Sequence, residues 1–408
     1  MEEEQEEQSE EQEGQPAAEL PASSRENRLA LIRAIQEARD SHVIAYCAGD
    51  RPGAMGQIGE DAVRPMYDHV RALGFAGVPR LDLFLYSRGG SIEAPWRIVS
   101  MLREYCQELN VLIPYRAHSA ATLIALGADH IVMGKKGELG PIDPIMSKFE
   151  RGERTVIQEE MSVEDIMSFV SFLKERMGIE DDAALASSAN VLAEKLSPWL
   201  LGSIYRAHSH IRFIARKLLA CQQKPLDEQR VDRIVASLAE ETYFHGHNIA
   251  RSEAKELGLP IVEPDEELEK LMWQLFEAYE ALLKLQFPID PRIAIPSGQD
   301  EYLEQVILAC IESEAQLSVY RGDLRVRYVR QIPANLNLNL NLNVQLPPGL
   351  RPERLPEAAR VAIQQMFQQL EAQIATLVQI QVQRQAPIQG TEGGLFNAFW
   401  QEATKEGI

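Results

Sequence analysis

The segment from Leu81 to Pro144 decides the fold. It reads LDLFLYSRGGSIEAPWRIVSMLREYCQELNVLIPYRAHSAATLIALGADHIVMGKKGELGPIDP. The apolar run LDLFLY ends in a Gly-Gly turn before a helix predicted over 92–108, and the next apolar run, NVLIPY, precedes a helix predicted over 119–127. A third apolar run, HIVM, follows that helix. Short apolar runs that alternate with helices predict a parallel sheet of βαβ units, which is an α/β fold.

The ends of two predicted strands bring a Gly-Gly turn and a serine to one edge of this sheet. Ligands bind at the carboxyl ends of the strands in such sheets. A serine hydroxyl reacts only when a base takes its proton and donors stabilise the oxyanion. The amide of Ala120 would lie at a helix N-terminus, and the Gly89–Gly90 turn can offer a second amide without side-chain hindrance. The alternative for Ser119 is a helix N-cap, because serine is a common capping residue.

The chain on either side extends this pattern. Upstream, we predict a helix over 24–38 with Ser23 or Ser24 as its N-cap, and a buried strand over 42–47. Downstream of about Glu159, apolar residues recur at three- and four-residue spacing, which predicts a helical region. Further helices are predicted over 60–74, 163–177, 183–220, 227–240 and 266–286, and before Gly258 with Ser252 as a candidate cap.

The composition changes after about residue 288, where several prolines mark a linker. Residues 318–331 alternate like a strand, and NLNLNLNLNV at 335–344 is a strict period-two repeat with leucine on one face. A helix is predicted over 352–382, and the last twenty residues are expected to form a soft tail. The predicted regions are an acidic disordered tail over 1–22, one domain over 23–287 and a small α+β extension over 288–408.

The charge balance argues against some classes of function. The formal net charge is −20, and the opening MEEEQEEQSEEQEG contributes eight glutamates to it. Because a nucleic-acid binder needs a basic face, no nucleic-acid partner is expected. The chain has no basic-then-apolar signal, and no apolar run approaches the ~18 residues of a membrane span. We therefore expect a cytoplasmic protein without a membrane span.

The four cysteines predict neither a metal site nor a disulfide framework. Cys47, Cys106, Cys221 and Cys310 are far apart, form no CxxC pair and lie near no histidine at zinc-ligand spacing. Free cysteine is among the most buried residue types, so we interpret all four as small buried side chains in a reducing compartment. No metal and no cofactor are expected.

Several motifs occur in a consistent order. They are YSRGGS at 86–91, SAATLIALGADHIVMG at 119–134, LGPIDP at 139–144 and FHGHNIARSEAKELGL at 244–259. Together they resemble the ClpP/crotonase superfamily of serine peptidases, and more narrowly the ClpP-related serine dehydrogenase proteinases, which are distant relatives of signal peptide peptidase A. The resemblance covers roughly residues 42–267. This chain has Arg88 where the family has a proline before the two glycines.

The resemblance implies a role for three residues. Ser119 corresponds to the nucleophile, Asp143 to the aspartate of LGPIDP, and His245 to the histidine thirteen residues before Gly258. The implied chemistry is attack by the serine, with His245 as general base and then general acid. Asp143 would orient the imidazole.

Other histidines remain candidates for the base. His247 lies two residues after His245, and in an extended segment both side chains could project to the same face. His118 is adjacent to Ser119, and neighbouring residues do not face each other, so its ring is expected to point away.

Lysines are the second alternative. A serine–lysine pair occurs in the signal peptide peptidase relatives, and Lys148 or Lys174 could serve if desolvation lowered its pKa. The alternative interpretation is that both lysines lie on the solvated surface. Asp143 also has an alternative role as a turn residue, because aspartate before proline is typical of turns.

We therefore predict an ATP-independent serine peptidase that hydrolyses peptides or unstructured segments. The resemblance implies a ClpP/crotonase-like superhelix of ββα units with a parallel sheet, followed by a helical region, and assembly into a homo-oligomer. Two alternatives remain open. One is a crotonase-type acyl-CoA enzyme with the same fold, and the other is a non-catalytic scaffold that retains it.

Overall fold

The structure is a computed structural model. It describes residues 23–74, 76–142, 145–151, 156–162, 168–169, 171–179, 181–241, 247–331, 356–406 and 408. Its α-helices are α1 (Arg25–Arg39), α2 (Val63–Ala72), α3 (Ala94–Arg103), α4 (Ala120–Leu126), α5 (Asp182–Lys195), α6 (Pro198–Leu219), α7 (Glu228–Ala236), α8 (Arg251–Glu256), α9 (Glu266–Leu282), α10 (Pro291–Ala294) and α11 (Glu357–Gln385).

The strands are short except near the C-terminus. They are β1 (His42–Ala48), β2 (Asp50–Arg51), β3 (Ala54–Met55), β4 (Val78–Tyr86), β5 (Cys106–Ile113), β6 (Arg116–Ala117), β7 (His130–Met133), β8 (Glu138–Leu139), β9 (Ile145–Arg151), β10 (Val156–Ser162), β11 (Ile249–Ala250), β12 (Ile261–Val262), β13 (Glu301–Ser313), β14 (Leu317–Arg330) and β15 (Ile388–Glu402). A 3₁₀ turn at Glu60–Ala62 and π-helical turns at Phe172–Arg176 and Ser237–Glu241 complete the set.

One eight-stranded sheet organises the chain, in the order β12-β7-β5-β4-β1-β13-β14-β15. The strands from β12 to β1 are parallel, whereas β13, β14 and β15 join antiparallel at the other side. The predicted α/β class with a parallel sheet is confirmed. The parallel strands end at a common edge, and a small sheet of β11, β8 and β6 lies beyond them.

Helices cover both faces of the parallel strands. Along β4, Leu83 and Leu85 belong to a core that includes residues of α2, α3, α4, α6 and α7. The alternate residues Phe84 and Tyr86 belong to a second core with α1 and α9. Successive side chains of a strand point to opposite faces, so burial on both faces favours a predominantly apolar run over strict alternation.

The N-terminal helix and the C-terminal strands are joined through a buried ion pair. Glu312, near the end of β13, accepts hydrogen bonds from Arg28 Nε of α1 at 2.6 Å and from Tyr279 Oη of α9 at 3.0 Å. Arg28 and Glu312 are both fully buried. Ser24 caps α1 by accepting from the Asn27 N–H, as predicted.

In several places the structure differs from the predicted helices, chiefly because residues predicted as helical pair with a strand. The helix predicted to reach Glu108 ends at Arg103, because residues from Cys106 onward pair with β4. Residues 159–162, predicted as helix, lie in β10, which pairs with β9. Ser252 is not the cap of α8, since Ala250 occupies that position.

The C-terminal extension contributes to the main sheet. β13 has no counterpart among the predicted strands, and most of the expected soft tail forms β15, which pairs with β14 along its length. The alternating repeat at 335–344 and the acidic tail over 1–22 lie outside the described residues. The division into a domain over 23–287 and an extension over 288–408 stays a prediction.

The four cysteines are free, with Cys47 and Cys310 buried and the other two half-buried. Within the described parts of the chain, no helix combines the length and the apolar character that crossing a membrane requires.

Candidate functional site

Ser119 has a backbone conformation that few residues other than glycine adopt. It lies between β6 and α4 with φ of 50° and ψ of −112°. It occupies the N-cap position of α4, yet its side chain makes no capping hydrogen bond. A strained conformation of this kind costs on the order of 1–3 kcal/mol and persists only where the surroundings enforce it. The structure therefore does not support a plain capping role for Ser119.

The helix that follows Ser119 is held rigidly. All seven residues of α4 are buried. The Thr122 hydroxyl, in its first turn, lies 2.7 Å from the Ala117 carbonyl oxygen and accepts a hydrogen bond from the Gly140 N–H at 3.1 Å. Among the described residues the Ala120 N–H has no acceptor, as is usual for the first amides of a helix.

The Gly-Gly turn at the end of β4 lies directly against Ser119. Gly89 has φ of 116°, and a Cβ atom added there would lie 2.7 Å from the Ser119 Cβ. Its N–H donates to Ser87 Oγ at 2.9 Å, and its carbonyl accepts from Ile58 N–H at 2.8 Å. The Gly90 N–H has no acceptor in the part of the chain that the structure describes. Only glycine permits this approach of two backbone segments.

His118 points away from Ser119 toward β8. Its Nε2 lies 3.4 Å from Glu138 Oε1, and its ring packs against Gly140. Burial lowers the pKa of His118; the Glu138 carboxylate opposes this shift, and the charges of Arg88 and Arg116 add to it. The ring is therefore neutral at neutral pH.

A group of charged side chains surrounds this edge of the sheet. The Asp50 carboxylate accepts hydrogen bonds from Tyr86 Oη, Arg88 Nε and Arg116 Nη1 at 2.6, 2.7 and 2.8 Å. Arg116 Nε also donates to Glu138 Oε1 at 3.2 Å. Sequence analysis did not identify Asp50, Tyr86, Arg116 or Glu138 as members of the site. The available signal was that Asp50 comes shortly after the apolar run HVIAYC, at a strand end.

Within the described residues, none of the candidate bases forms a hydrogen bond with the Ser119 hydroxyl. Asp143 and His245 lie outside the described residues. His247 is exposed and its Nε2 lies 2.8 Å from Glu253 Oε1. Among the described residues, the Ser119 hydroxyl has no hydrogen-bond partner.

The two candidate lysines lie in different settings. Lys174 is exposed within the π-helical turn Phe172–Arg176. Lys148 lies in β9, and its side chain is outside what the structure describes. No group of three or more histidine, cysteine, aspartate or glutamate side chains in the described ranges could hold a metal ion.

Comparison with known proteins gives two relatives in Methanocaldococcus jannaschii, both uncharacterized proteins. MJ0137 is 25% identical over 259 residues, which is 62% of this chain and 78% of that protein. MJ1495 is 31% identical over 132 residues, which is 30% of this chain and 43% of that protein.

Two solved structures of proteases are similar to part of this chain. One is the 1510-N membrane-bound stomatin-specific protease in complex with a substrate peptide. It is 16% identical, with a TM-score of 0.31, over 52% of this chain and 73% of that one. A mutant of ClpP1 from Listeria monocytogenes is 13% identical, with a TM-score of 0.30, over 58% of this chain and 99% of that one.

The segment that contains Ser119 and the Gly-Gly turn also matches a protein family. The match is to the ClpP-like SDH-type serine proteinases and covers residues 20–168. Residues 20–168, a little over a third of this chain, are therefore similar to the ClpP-like SDH-type serine proteinases.

Proposed function

We propose that this protein is a serine peptidase in which the Ser119 hydroxyl attacks the carbonyl carbon of a peptide bond. The observation that carries the proposal is the conformation of Ser119, with φ of 50° and no capping bond, at a sharp strand-to-helix turn. Such a turn presents a nucleophilic serine at the top of a sheet in other hydrolases. The family of residues 20–168 supports the same reaction class.

The oxyanion would be stabilised by backbone amides. The Gly90 and Ala120 N–H groups have no acceptor among the described residues, so both are available to a substrate oxygen. Ala120 opens a helix, where the dipole favours negative charge. The Gly89 N–H is already bonded to Ser87 Oγ, so the role of Gly89 is to let the turn approach Ser119.

The base is proposed from the sequence motifs. His245 would take the proton from Ser119 and return it to the leaving amine, and Asp143 would orient the imidazole. Of the alternatives, His247 is bonded to Glu253 and Lys174 is exposed, so neither has the desolvated position that a tuned base needs. Lys148 remains the main alternative.

The proposed substrates are peptides or unstructured protein segments, hydrolysed without ATP and without a cofactor. A substrate peptide is bound in the solved complex of the stomatin-specific protease. We also propose a homo-oligomer in the cytoplasm, as expected from the sequence.

A fluorophosphonate probe tests the nucleophile on the full chain. We expect one label on the wild type, mapped to Ser119 by mass spectrometry, and none on Ser119→Ala. Ser100→Ala is the matched control, because the Ser100 hydroxyl donates to the Trp96 carbonyl within its own helix. A folded wild type that is never labelled would contradict the peptidase proposal and favour a scaffold. Binding of a CoA ester without labelling would favour a crotonase-type enzyme.

The base is identified by a second comparison. We expect His245→Ala to slow labelling of Ser119 by about 10² or more, as general base catalysis typically contributes. Lys148→Ala should leave the rate unchanged. Loss of labelling only in the lysine variant would overturn the assignment of His245.

A further inference from the structure

One buried carboxylate connects the two halves of the candidate site. Asp50 follows β1, and its side chain is only 8% exposed. It accepts hydrogen bonds from Tyr86 Oη at 2.6 Å, Arg88 Nε at 2.7 Å and Arg116 Nη1 at 2.8 Å. Hydrogen bonds to an ionised acceptor are roughly twice as strong as neutral ones.

The partners of Asp50 flank the reacting groups on both sides. Tyr86 and Arg88 lie on either side of Ser87, whose Oγ holds the Gly89 N–H at 2.9 Å. Arg116 lies in β6, three residues before Ser119. The carboxylate thus bridges the strand that ends in the glycine turn and the strand that leads to the serine.

The Asp50 carboxylate balances the positive charges of two arginines. Arg88 and Arg116 both contact the same oxygen, Asp50 Oδ2. Burial alone would raise the pKa of Asp50, but the bonds from Tyr86 and Arg88 and the charge of Arg116 leave that pKa lowered. Without the negative charge the two guanidinium groups would repel each other across a short distance. Arg88 is the more exposed of the two and would be the one to move.

We propose that Asp50 is a positioning residue of the candidate active site, which holds the Arg88–Gly89–Gly90 turn at the distance from Ser119 that the oxyanion donors require. The proposal rests on the proposed function. The strain at Ser119 and the close approach of Gly89 make the site sensitive to small displacements. A misplacement of about 1 Å in such a site can cost on the order of 10²-fold in rate.

The test compares Asp50→Asn with Asp129→Asn, because Asp129 is an equally buried carboxylate remote from Ser119. Asp129 is 6% exposed, pairs with Arg103 at 2.7 Å and accepts from the Leu109 N–H at 2.9 Å. We expect both variants to lose thermal stability. Only Asp50→Asn should slow fluorophosphonate labelling of Ser119, by about tenfold or more. The loss should fall on the maximal labelling rate and not on the half-saturating probe concentration.

A double variant separates positioning from general destabilisation. If Asp50 acts through Arg88, then Asp50→Asn combined with Arg88→Gln should label no more slowly than Asp50→Asn alone. Non-additive losses of this kind indicate a shared contact. Fully additive losses would overturn the proposal.

Amide hydrogen exchange at residues 87–91 provides a readout that does not need Ser119 to react. Exchange at this turn should be faster in Asp50→Asn than in the wild type and in Asp129→Asn. If the wild type is not labelled, the proposed function fails while the exchange comparison still tests the network. If exchange and labelling in Asp50→Asn both match the wild type, the positioning role is wrong.

Discussion

Two carboxylate–arginine clusters occupy opposite ends of the same parallel strands. At the amino end, the fully buried Asp82 pairs with Arg39 and accepts hydrogen bonds from Ser41 Oγ at 2.8 Å and Asn110 Nδ2 at 2.9 Å. At the carboxyl end, Asp50 accepts from one tyrosine and two arginines. The chemistry of the two clusters is nearly the same.

Their surroundings differ. The amino-end cluster is carried by regular strand residues, and the imidazole beside it, His130, has its Nδ1 at 3.1 Å from Asn110 Oδ1. The carboxyl-end cluster borders Ser119 and Gly89, both at positive φ, and the nearby buried His118 Nε2 has no hydrogen-bond partner among the described residues. One kind of polar network therefore lies among regular strand residues at one end and beside a strained backbone at the other. Strain of this kind indicates function when it is observed directly.

The largest expected effect is the difference between substituting Ser119, at the carboxyl end of the strands, and Ser41, at the amino end. Ser119→Ala should lower the rate of peptide hydrolysis by about 10³ or more, because it removes the nucleophile. Ser41→Ala should keep the rate and lose about 1 kcal/mol of unfolding free energy, the value of a typical hydrogen bond. Rates and urea unfolding curves of both variants check this. Substantial peptide hydrolysis by Ser119→Ala would show that Ser119 is not the nucleophile.

Next in size is the loss of the amino-end carboxylate. Asp82→Asn leaves Arg39 without its buried partner and should lower the free energy of unfolding by about 3 kcal/mol, measured by urea denaturation. The rate of Ser119 labelling should not change where the variant is folded. Slower labelling would show that the two ends of the sheet are coupled, contrary to the comparison.

The glycine turn gives a smaller effect with a close control. Gly89→Ala would place a Cβ 2.7 Å from the Ser119 Cβ, and we expect labelling to slow by about 10²-fold. Gly74→Ala has a similar positive φ of 99° but nothing within 4 Å of the added atom. It should therefore show the strain, about 1–3 kcal/mol, and no effect on labelling. Equal labelling rates in the two variants would mean that the close approach of Gly89 to Ser119 does not affect the reaction of Ser119.

The smallest expected effect is a dependence on pH. The pKa of His118 is lowered in the folded state, chiefly by burial, so the unfolded state binds the proton more readily. The stability contributed by neutral His118 is complete above the unfolded pKa of about 6.5 and decreases as the pH falls below it. Between pH 7 and 5, the wild type should lose more unfolding free energy than His118→Gln, as measured by urea unfolding. His130→Gln, which removes a half-exposed imidazole at the amino end, is the control. Parallel losses in wild type and His118→Gln would contradict this.

Local patterns were sufficient for much of the fold. Short, predominantly apolar runs identified β1, β4 and β7, because strands covered on both faces need apolar side chains on both. The Ser24 cap of α1 follows from local hydrogen-bonding chemistry. Patterns failed where distant partners compete with helix propensity, as in the first residues of β5 and in β10.

The sequence by itself determined that a serine and a Gly-Gly turn follow successive strands, because strand order and strand ends are readable from short segments. It also carried the motifs that resemble those of ClpP-like serine proteinases. The tertiary structure decided which conformation Ser119 adopts and that Asp50 joins the two sides of the site. Asp50, Arg88 and Arg116 are far apart in the chain, and only the parallel arrangement of β1, β4 and β5, which precede them, brings them together at one edge. The physical reason is that burial of a shared carboxylate and strain in a backbone depend on contacts between segments, which no local pattern records.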